Sequence, residues 1–351
     1  MAGKRRKFLP WLFLLLGGGV LAGVVYGYRC YRWVYDPNVD FENEKAAYLY
    51  VPTGSDRASL MDSLEQSGYI EDMESFRWVA ELKGFTDRVH PGKYRIEEGM
   101  SNNELVNILR GGLEETVEVT FNNIRTKEEL AGKSTRKIEP DSADLLKALK
   151  DPRLAREYGF GPKTFLVMFL PNTYEFYWDV SIEGFLDRMK KEYGEFWTAK
   201  RSKKARAIGL SKVEVSILAS IVEAEQSKVP EERPKIARLF LNRLQKGMKL
   251  ESDPTLVYAI GDFSIRRVLD KDRDVDSPYN TYRYKGLPPG PIRLPSPISI
   301  KAVLNAPEHD HLYMCAKPDS SGLHNFTSSY SQHLENARKY QAWLDEQGVL
   351  R

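Results

Sequence analysis

From Phe8 to Tyr28 the chain runs 21 residues without a charge. A helix rising 1.5 Å per residue carries such a run across roughly 30 Å, the hydrocarbon depth of a bilayer. Beyond it the apolar positions fall into shorter, regular periods. Tyr48 to Val51 has the character of a strand and stops at the turn Pro52-Thr53-Gly54. Ala58 to Ser67 sets Leu60, Met61 and Leu64 on one helical face with Gly68 just past its end, and Asp72 to Leu82 does the same with Phe76, Val79 and Ala80. Pro91 to Ile96 returns as a strand. Ser101 and Glu104 then form a capping-box pattern at the head of a helix that reaches Leu109, and Gly111-Gly112 closes the group.

The next stretch is longer and more helical. Val117 to Phe121 alternates as a strand, residues 126–149 read as helix in pieces, and Phe165 to Tyr174 is apolar and aromatic around Pro171. Ile182 to Trp197 is an amphipathic helix, and the basic run Lys200 to Arg206 reads as a solvated face rather than a binding site. Together these elements predict an α+β protein in five parts. They are a tail over 1–7, a single transmembrane helix over 8–28, a stalk over 29–46, a small α/β module over 47–113, and a mixed α+β domain over 114–347 with its core at 206–340. The stalk is polar from Asp36 to Lys45 and contains Pro37.

Charge fixes an orientation for the apolar run. Lys4-Arg5-Arg6-Lys7 precedes it, so the positive-inside rule places the N-terminus in the cytoplasm and everything after Arg29 outside. Trp11 at one end, with Tyr26, Tyr28, Tyr31 and Trp33 at the other, resembles an aromatic belt at the two interfaces. A cleaved signal peptide would carry an apolar core of about 7–15 residues ending in a small-x-small site. Gly23 to Tyr28 offers bulky Val and Tyr instead, so the segment reads as an uncleaved anchor. Over the whole chain 52 Lys and Arg face 49 Asp and Glu, a net +3 that makes no case for nucleic acid as a partner. Cys30 and Cys315 are the two cysteines, and both read as structural rather than as one bond. The 11% of aromatic residues suits a sugar-binding surface and an ordinary core equally.

Candidate chemistry concentrates in Ser211 to Gln226. Ser211 and Glu214 form a second capping box, and Val213, Val215, Ile217, Leu218, Ile221 and Val222 make the helix apolar over much of its girth. Glu223 breaks that run. It shares a stripe with Ala219, Ser220 and Ser227, small residues that would leave room for a substrate beside the carboxylate. Desolvation there should raise its proton affinity, as a general acid requires. Spacing alone leaves Glu214, Glu223 and Glu225 in competition. Glu214 is a cap, and a glutamate solvated where the helix emerges is the plainer reading of such a residue.

Leu218-Ala219-Ser220-Ile221-Val222-Glu223-Ala224-Glu225 resembles the signature helix of the YceG-like family of endolytic murein transglycosylases. Four further blocks follow in the family's order. They are Ile236 to Leu244 with Gly247 to Leu250, then Glu251 to Tyr258 around Asp253-Pro254-Thr255. Next come Ser277-Pro278-Tyr279-Asn280-Thr281-Tyr282 with Gly286 to Ile292, and last Gly322, His324, Phe326 and His333. Gly92-Lys93-Tyr94 followed by Gly99-Met100-Ser101 and Leu105 resembles the LysM-like module that precedes the catalytic domain in this family.

The resemblance implies a lytic transglycosylase that cleaves the β-1,4 bond between N-acetylmuramic acid and N-acetylglucosamine in nascent strands near the membrane. Glu223 would be acid and base, a 1,6-anhydromuramyl end the product, no cofactor or metal would be needed, and the strand-polymerising synthases would be partners. Two other readings stay open: a hydrolytic muramidase using Glu223 with Asp253, and a non-catalytic glycan-binding scaffold. The substrate groove is expected to draw on Glu251, Asp253, Tyr279, Asn280, Thr281, Tyr282, Pro288 and Phe326. For several of these a plainer role stands beside the groove: Asp253 as a cap, Glu251 as a solvated loop residue, Asn280 as a turn-closer. Gly286 to Pro291, poor in backbone donors, should form a rigid wall. His324 and His333 lack a third metal ligand at suitable spacing and read as structural. The chain departs from the family at Leu166-Val167, where an acidic residue and a glycine are usual, and at Asn122-Asn123, where Glu-Gly is usual. Both changes are expected to alter groove shape rather than the reaction.

Overall fold

A computed structural model describes residues 9–41, 45–85 and 88–348; the tail over 1–7 and the side chain of Trp11 lie outside them. The chain divides into two compact units, Met1–Val117 with Glu175–Val180, and Glu118–Tyr174 with Ser181–Arg351.

The first unit begins with α1 (Leu9–Tyr35), in which Phe13–Tyr35 is long and apolar enough to cross a membrane and is exposed from Phe13 to Arg29. The helix runs on past Tyr28 to Tyr35. Trp33 meets Trp78 edge to face at 5.5 Å, and the Trp33 carbonyl accepts from the Asn102 amide at 2.9 Å. The segment that follows is docked as well. Asn38 and Val39 are buried, Asn38 donates to the Asp72 carbonyl at 3.0 Å and the Asn102 amide oxygen at 2.7 Å, and Val39 N–H donates to the Met100 carbonyl. One apolar side chain and one amide are enough to tether this otherwise polar stretch.

Next come β1 (Ala46–Val51), α2 (Arg57–Ser67), α3 (Met73–Leu82), β2 (Gly92–Glu97) and α4 (Asn102–Gly111). The strands pair antiparallel with Leu49 opposite Tyr94. Their period of two turns Leu49, Val51, Tyr94 and Ile96 onto Leu60, Leu64, Phe76, Val79, Leu105 and Leu109. Each such burial stabilises the unit by roughly 1.5–3 kcal/mol relative to exposure. The helix starts fall where the caps do: Asp56, Asp72, and the Ser101–Glu104 capping box.

β3 (Thr116–Phe121) enters the second unit at Glu118 and leads to α5 (Lys127–Ser134), α6 (Ser142–Lys150) and α7 (Pro152–Glu157). A tight helical turn over Phe165–Met168 precedes β4 (Asn172–Tyr177). Leu166 and Val167 are buried in that turn. The Thr120 and Thr173 hydroxyls meet at 2.8 Å, and Phe121 stacks on Tyr174.

The remaining helices are α8 (Ile182–Phe196), α9 (Ala199–Ala207), α10 (Lys212–Glu225), α11 (Arg233–Gln245), α12 (Asp253–Ile260), α13 (Pro297–Leu304) and α14 (Tyr330–Glu346). A hairpin of β5 (Tyr313–Ala316) and β6 (His324–Thr327) precedes α14. Only Ala205 of α9 is buried, which makes its basic run a solvated face. Helix α10 is the axis of the unit. It packs against α11, α12 and α13, and Val215, Leu218, Ile221 and Val222 are fully buried against Ile236, Leu239, Phe240, Ile300 and Val303. Cys30 and Cys315 are both free thiols.

Candidate active site

Helix α10 is defined at both ends by local chemistry. The Ser211–Glu214 capping box is formed at its start. At its finish Gln226 leaves the helical conformation, its side-chain amide donating to the Gly322 carbonyl at 2.8 Å and to Glu232 at 2.7 Å while its side-chain amide oxygen accepts from Lys228 and Val229 N–H. Glu232 is in turn bonded by His324 at 2.7 Å; burial pushes its carboxyl up, but the hydrogen bonds from His324 and Gln226 outweigh that and leave it below its usual range. Glu223 and Glu225 therefore sit in a fixed last turn.

Glu223 is 12% exposed. Its Oε2 accepts three hydrogen bonds, from Ser296 N–H at 2.7 Å, Ser296 Oγ at 2.6 Å and Ser299 Oγ at 2.7 Å. The Arg293 guanidinium lies 3.8 Å from Oε1, and Arg293 also donates to the Asn123 amide oxygen at 2.5 Å.

The expected room beside Glu223 is only partly present. Ala219 and Ser220 are fully buried, and Ile292 N–H donates to Ser220 Oγ at 3.1 Å. Small side chains there let the loop over 290–293 come down onto the helix. On the other side Ala224 and Ser227 line an open cleft of about 590 Å³ together with Asp253, Tyr258, Phe263 and Arg293.

Glu225 points to a different neighbour. Ser252 Oγ donates to it at 2.5 Å, and burial, aided by Asp253 and opposed by Ser252 and Arg243, pushes its carboxyl up to about 8. Asp253 opens α12, where the helix dipole favours a carboxylate. The Tyr282 hydroxyl donates to it at 2.5 Å, and burial raises its proton affinity against the pull of Tyr282 and Arg273.

Other expected groove residues have structural tasks. Asn280 is buried, donating to the Arg273 and Val275 carbonyls and accepting from Tyr282 N–H, the bonding of a turn-closer. Thr281 is buried, bonded to Thr255 at 2.7 Å and accepting from Ser252 N–H at 3.0 Å. Glu251 holds a positive φ of 53° and pairs with Arg243 at 3.0 Å. Tyr279 packs on Tyr258 at 4.8 Å, one layer behind the cleft surface. Pro288 is buried in the wall. Phe326 lies on β6 beneath the Lys235 ammonium, outside the cleft-lining set.

Sequence reasoning missed Arg293, Ser296 and Ser299. The available signal was Ser296-Pro297-Ile298-Ser299, which reads as a helix cap, and Ser296 does cap α13 through Ser299 N–H. That Ser296 and Ser299 also converge on a carboxylate on another helix is a tertiary fact.

A family model described as the YceG-like family matches residues 49–339. The endolytic murein transglycosylase of Bacillus subtilis is 29% identical, over 93% of this chain and 91% of that protein. Its Streptococcus pneumoniae serotype 2 counterpart is 27% identical over 95% of this chain, which spans 64% of that longer relative. A crystal structure of a YceG-like protein from Listeria monocytogenes aligns with a TM-score of 0.54 at 27% identity, covering 83% of this chain and 98% of that one.

Proposed function

The chain belongs to the YceG-like family, and on that footing we propose that it is a membrane-anchored endolytic murein lytic transglycosylase with Glu223 as acid and base. The observation that carries the assignment of Glu223 is its setting. It is a nearly buried carboxyl at the end of the central helix, gripped by Ser296 and Ser299, beside a cleft large enough for sugar rings.

In the proposed reaction the Glu223 carboxyl protonates the oxygen joining N-acetylmuramic acid to N-acetylglucosamine, the C1–O bond breaks, and N-acetylglucosamine leaves as an alcohol. The muramyl C6 hydroxyl closes on C1 and its proton returns to the Glu223 carboxylate. No water is consumed, and the product ends in a 1,6-anhydro ring. Because the nucleophile belongs to the substrate, one carboxylate suffices, unlike the pair of most glycosidases. Asp253 lines the same cleft but is tied to the Tyr282 hydroxyl, which favours a positioning role over that of nucleophile.

In this reading α1 is a single-pass anchor with its N-terminus in the cytoplasm. Both units then lie outside, and the first, as a LysM-like module, serves as glycan contact or spacer. The direct docking of the end of α1 into that unit supports work on strands close to the membrane. Association with strand-polymerising synthases belongs to the same proposal. The variant Glu223→Gln, which keeps shape and hydrogen bonding, should lose turnover while keeping its Tm and its glycan binding; undiminished turnover would contradict the assignment.

A further inference from the structure

The cleft beside Glu223 carries more positive charge than the proposed reaction uses. Arg125, Arg266 and Arg293 line it; among its described lining residues Asp253 is the one carboxylate and already accepts from Tyr282, while Glu223 beside the cleft faces Arg293 alone at 3.8 Å. Arg125 lays its guanidinium over the Phe263 ring at 4.5 Å. Arg293 is 12% exposed, and its Nε is buried without a hydrogen-bond partner among the described residues. Burial, Arg125 and Arg233 all act against the Arg293 cation, with Glu223 and Glu129 pulling the other way. Guanidinium groups crowded into a half-buried cleft are costly unless an anion joins them.

The sugars of murein are uncharged, so an anion near the scissile bond must hang from the muramyl C3 substituent. We infer that Arg125 and Arg293, with Arg266 at the rim, form a subsite that receives a carboxylate of that substituent. Its source is either the lactyl group of a peptide-free strand or a free carboxylate of the stem peptide. A planar guanidinium matches a carboxylate with two parallel N–H···O bonds, which suits arginine to this task better than lysine. The facing side chains of Val257, Tyr258 and Ile265 supply an apolar wall for the remainder of the substituent or the face of a ring. The inference rests on the proposed function, and it adds that the cleft reads the charge of what the sugar carries.

The test uses the full chain in detergent and four purified, uncrosslinked strand preparations. These are peptide-bearing strands with free or with amidated carboxylates, and peptide-stripped strands with free or with methyl-esterified lactyl groups. For the wild type, kcat/KM should fall on the order of tenfold when the recognised carboxylate is blocked, the loss of a charge-assisted hydrogen bond; which pair shows the fall identifies the source. Arg125→Gln, which leaves the contacts of Glu223 in place, should cleave free and blocked strands alike, at the blocked rate. Arg125→Lys should recover part of the discrimination. The inference is overturned if the wild type ignores blocking in both pairs, if Arg125→Gln still discriminates, or if it loses equally on free and blocked strands. Failure of the functional reading looks different: no cleavage of any of the four preparations by the wild type, which removes both.

Discussion

Ser299 Oγ donates to Glu223 Oε2 at 2.7 Å across 76 residues of sequence, joining the last turn of α10 to the first turn of α13. The contact sits inside the core, since Ser299 is fully buried. Ser299→Ala removes one of the three donors on the Glu223 carboxyl, a loss of about 1–3 kcal/mol when the partner stays buried. The expected result is a fall in kcat of roughly tenfold with helix content intact. Ser296→Ala should cost activity and also about 1 kcal/mol of stability, because Ser296 is the cap of α13. Paired measurements of kcat and Tm on the two variants separate these effects.

Asn123 provides a gentler lever on the same carboxylate. Its side chain holds Arg293 and its φ is 50°, a left-handed conformation in which glycine is at ease. Asn123→Gly should therefore keep the backbone and free Arg293, lowering kcat severalfold with little change in Tm. An unchanged kcat would show that Arg293 needs no such tether.

Much of the first unit and all of α10 could be read from the sequence because their determinants are local. Asp56, Asp72, Ser101 with Glu104, and Ser211 with Glu214 mark helix starts within three residues of the groups they cap. What escaped was long-range. Nothing local says that Val39 in a polar stretch will be buried, or that Asn280 in a run of sugar-compatible residues will spend its amide on the carbonyls of Arg273 and Val275. The partners of Glu223 lie more than seventy residues away and look like ordinary helix-capping serines.

The wall over 286–291 makes a steric prediction. A Cβ added at Gly290 would collide with the Lys163 carbonyl and lie 2.8 Å from the Tyr279 hydroxyl. Gly290→Ala must push the loop away from both, at a cost of about 1–3 kcal/mol. Because the same loop bonds Ser220 through Ile292 and carries Arg293, both Tm and turnover should drop together. A fall in Tm with full turnover would separate the wall from the catalytic group.

Glu225 gives a pH dependence whose sign follows from its burial. Its carboxyl stands at about 8 in the folded chain against 4.5 as the reference. The folded chain thus holds this proton more tightly, so its contribution to stability is complete below about pH 4.5 and is lost as the pH climbs towards about 8. Glu114 of the first unit, pushed up to about 7 chiefly by burial and further by Asp179, adds a slope of its own over a narrower window. Glu225→Gln should therefore flatten, without abolishing, the decline of Tm between about pH 5 and pH 8. An identical decline in variant and wild type would contradict the assigned proton.

The most direct test of the central claim is the mass of the products that the chain releases from purified, uncrosslinked glycan strands. A reaction that uses the muramyl C6 hydroxyl and Glu223 alone predicts new ends lighter by one water than a reducing end, present with the wild type and absent with Glu223→Gln. New ends at the full mass of a reducing sugar would mean that water attacks C1, and would replace the transglycosylase account with a hydrolytic one built on Glu223 and Asp253.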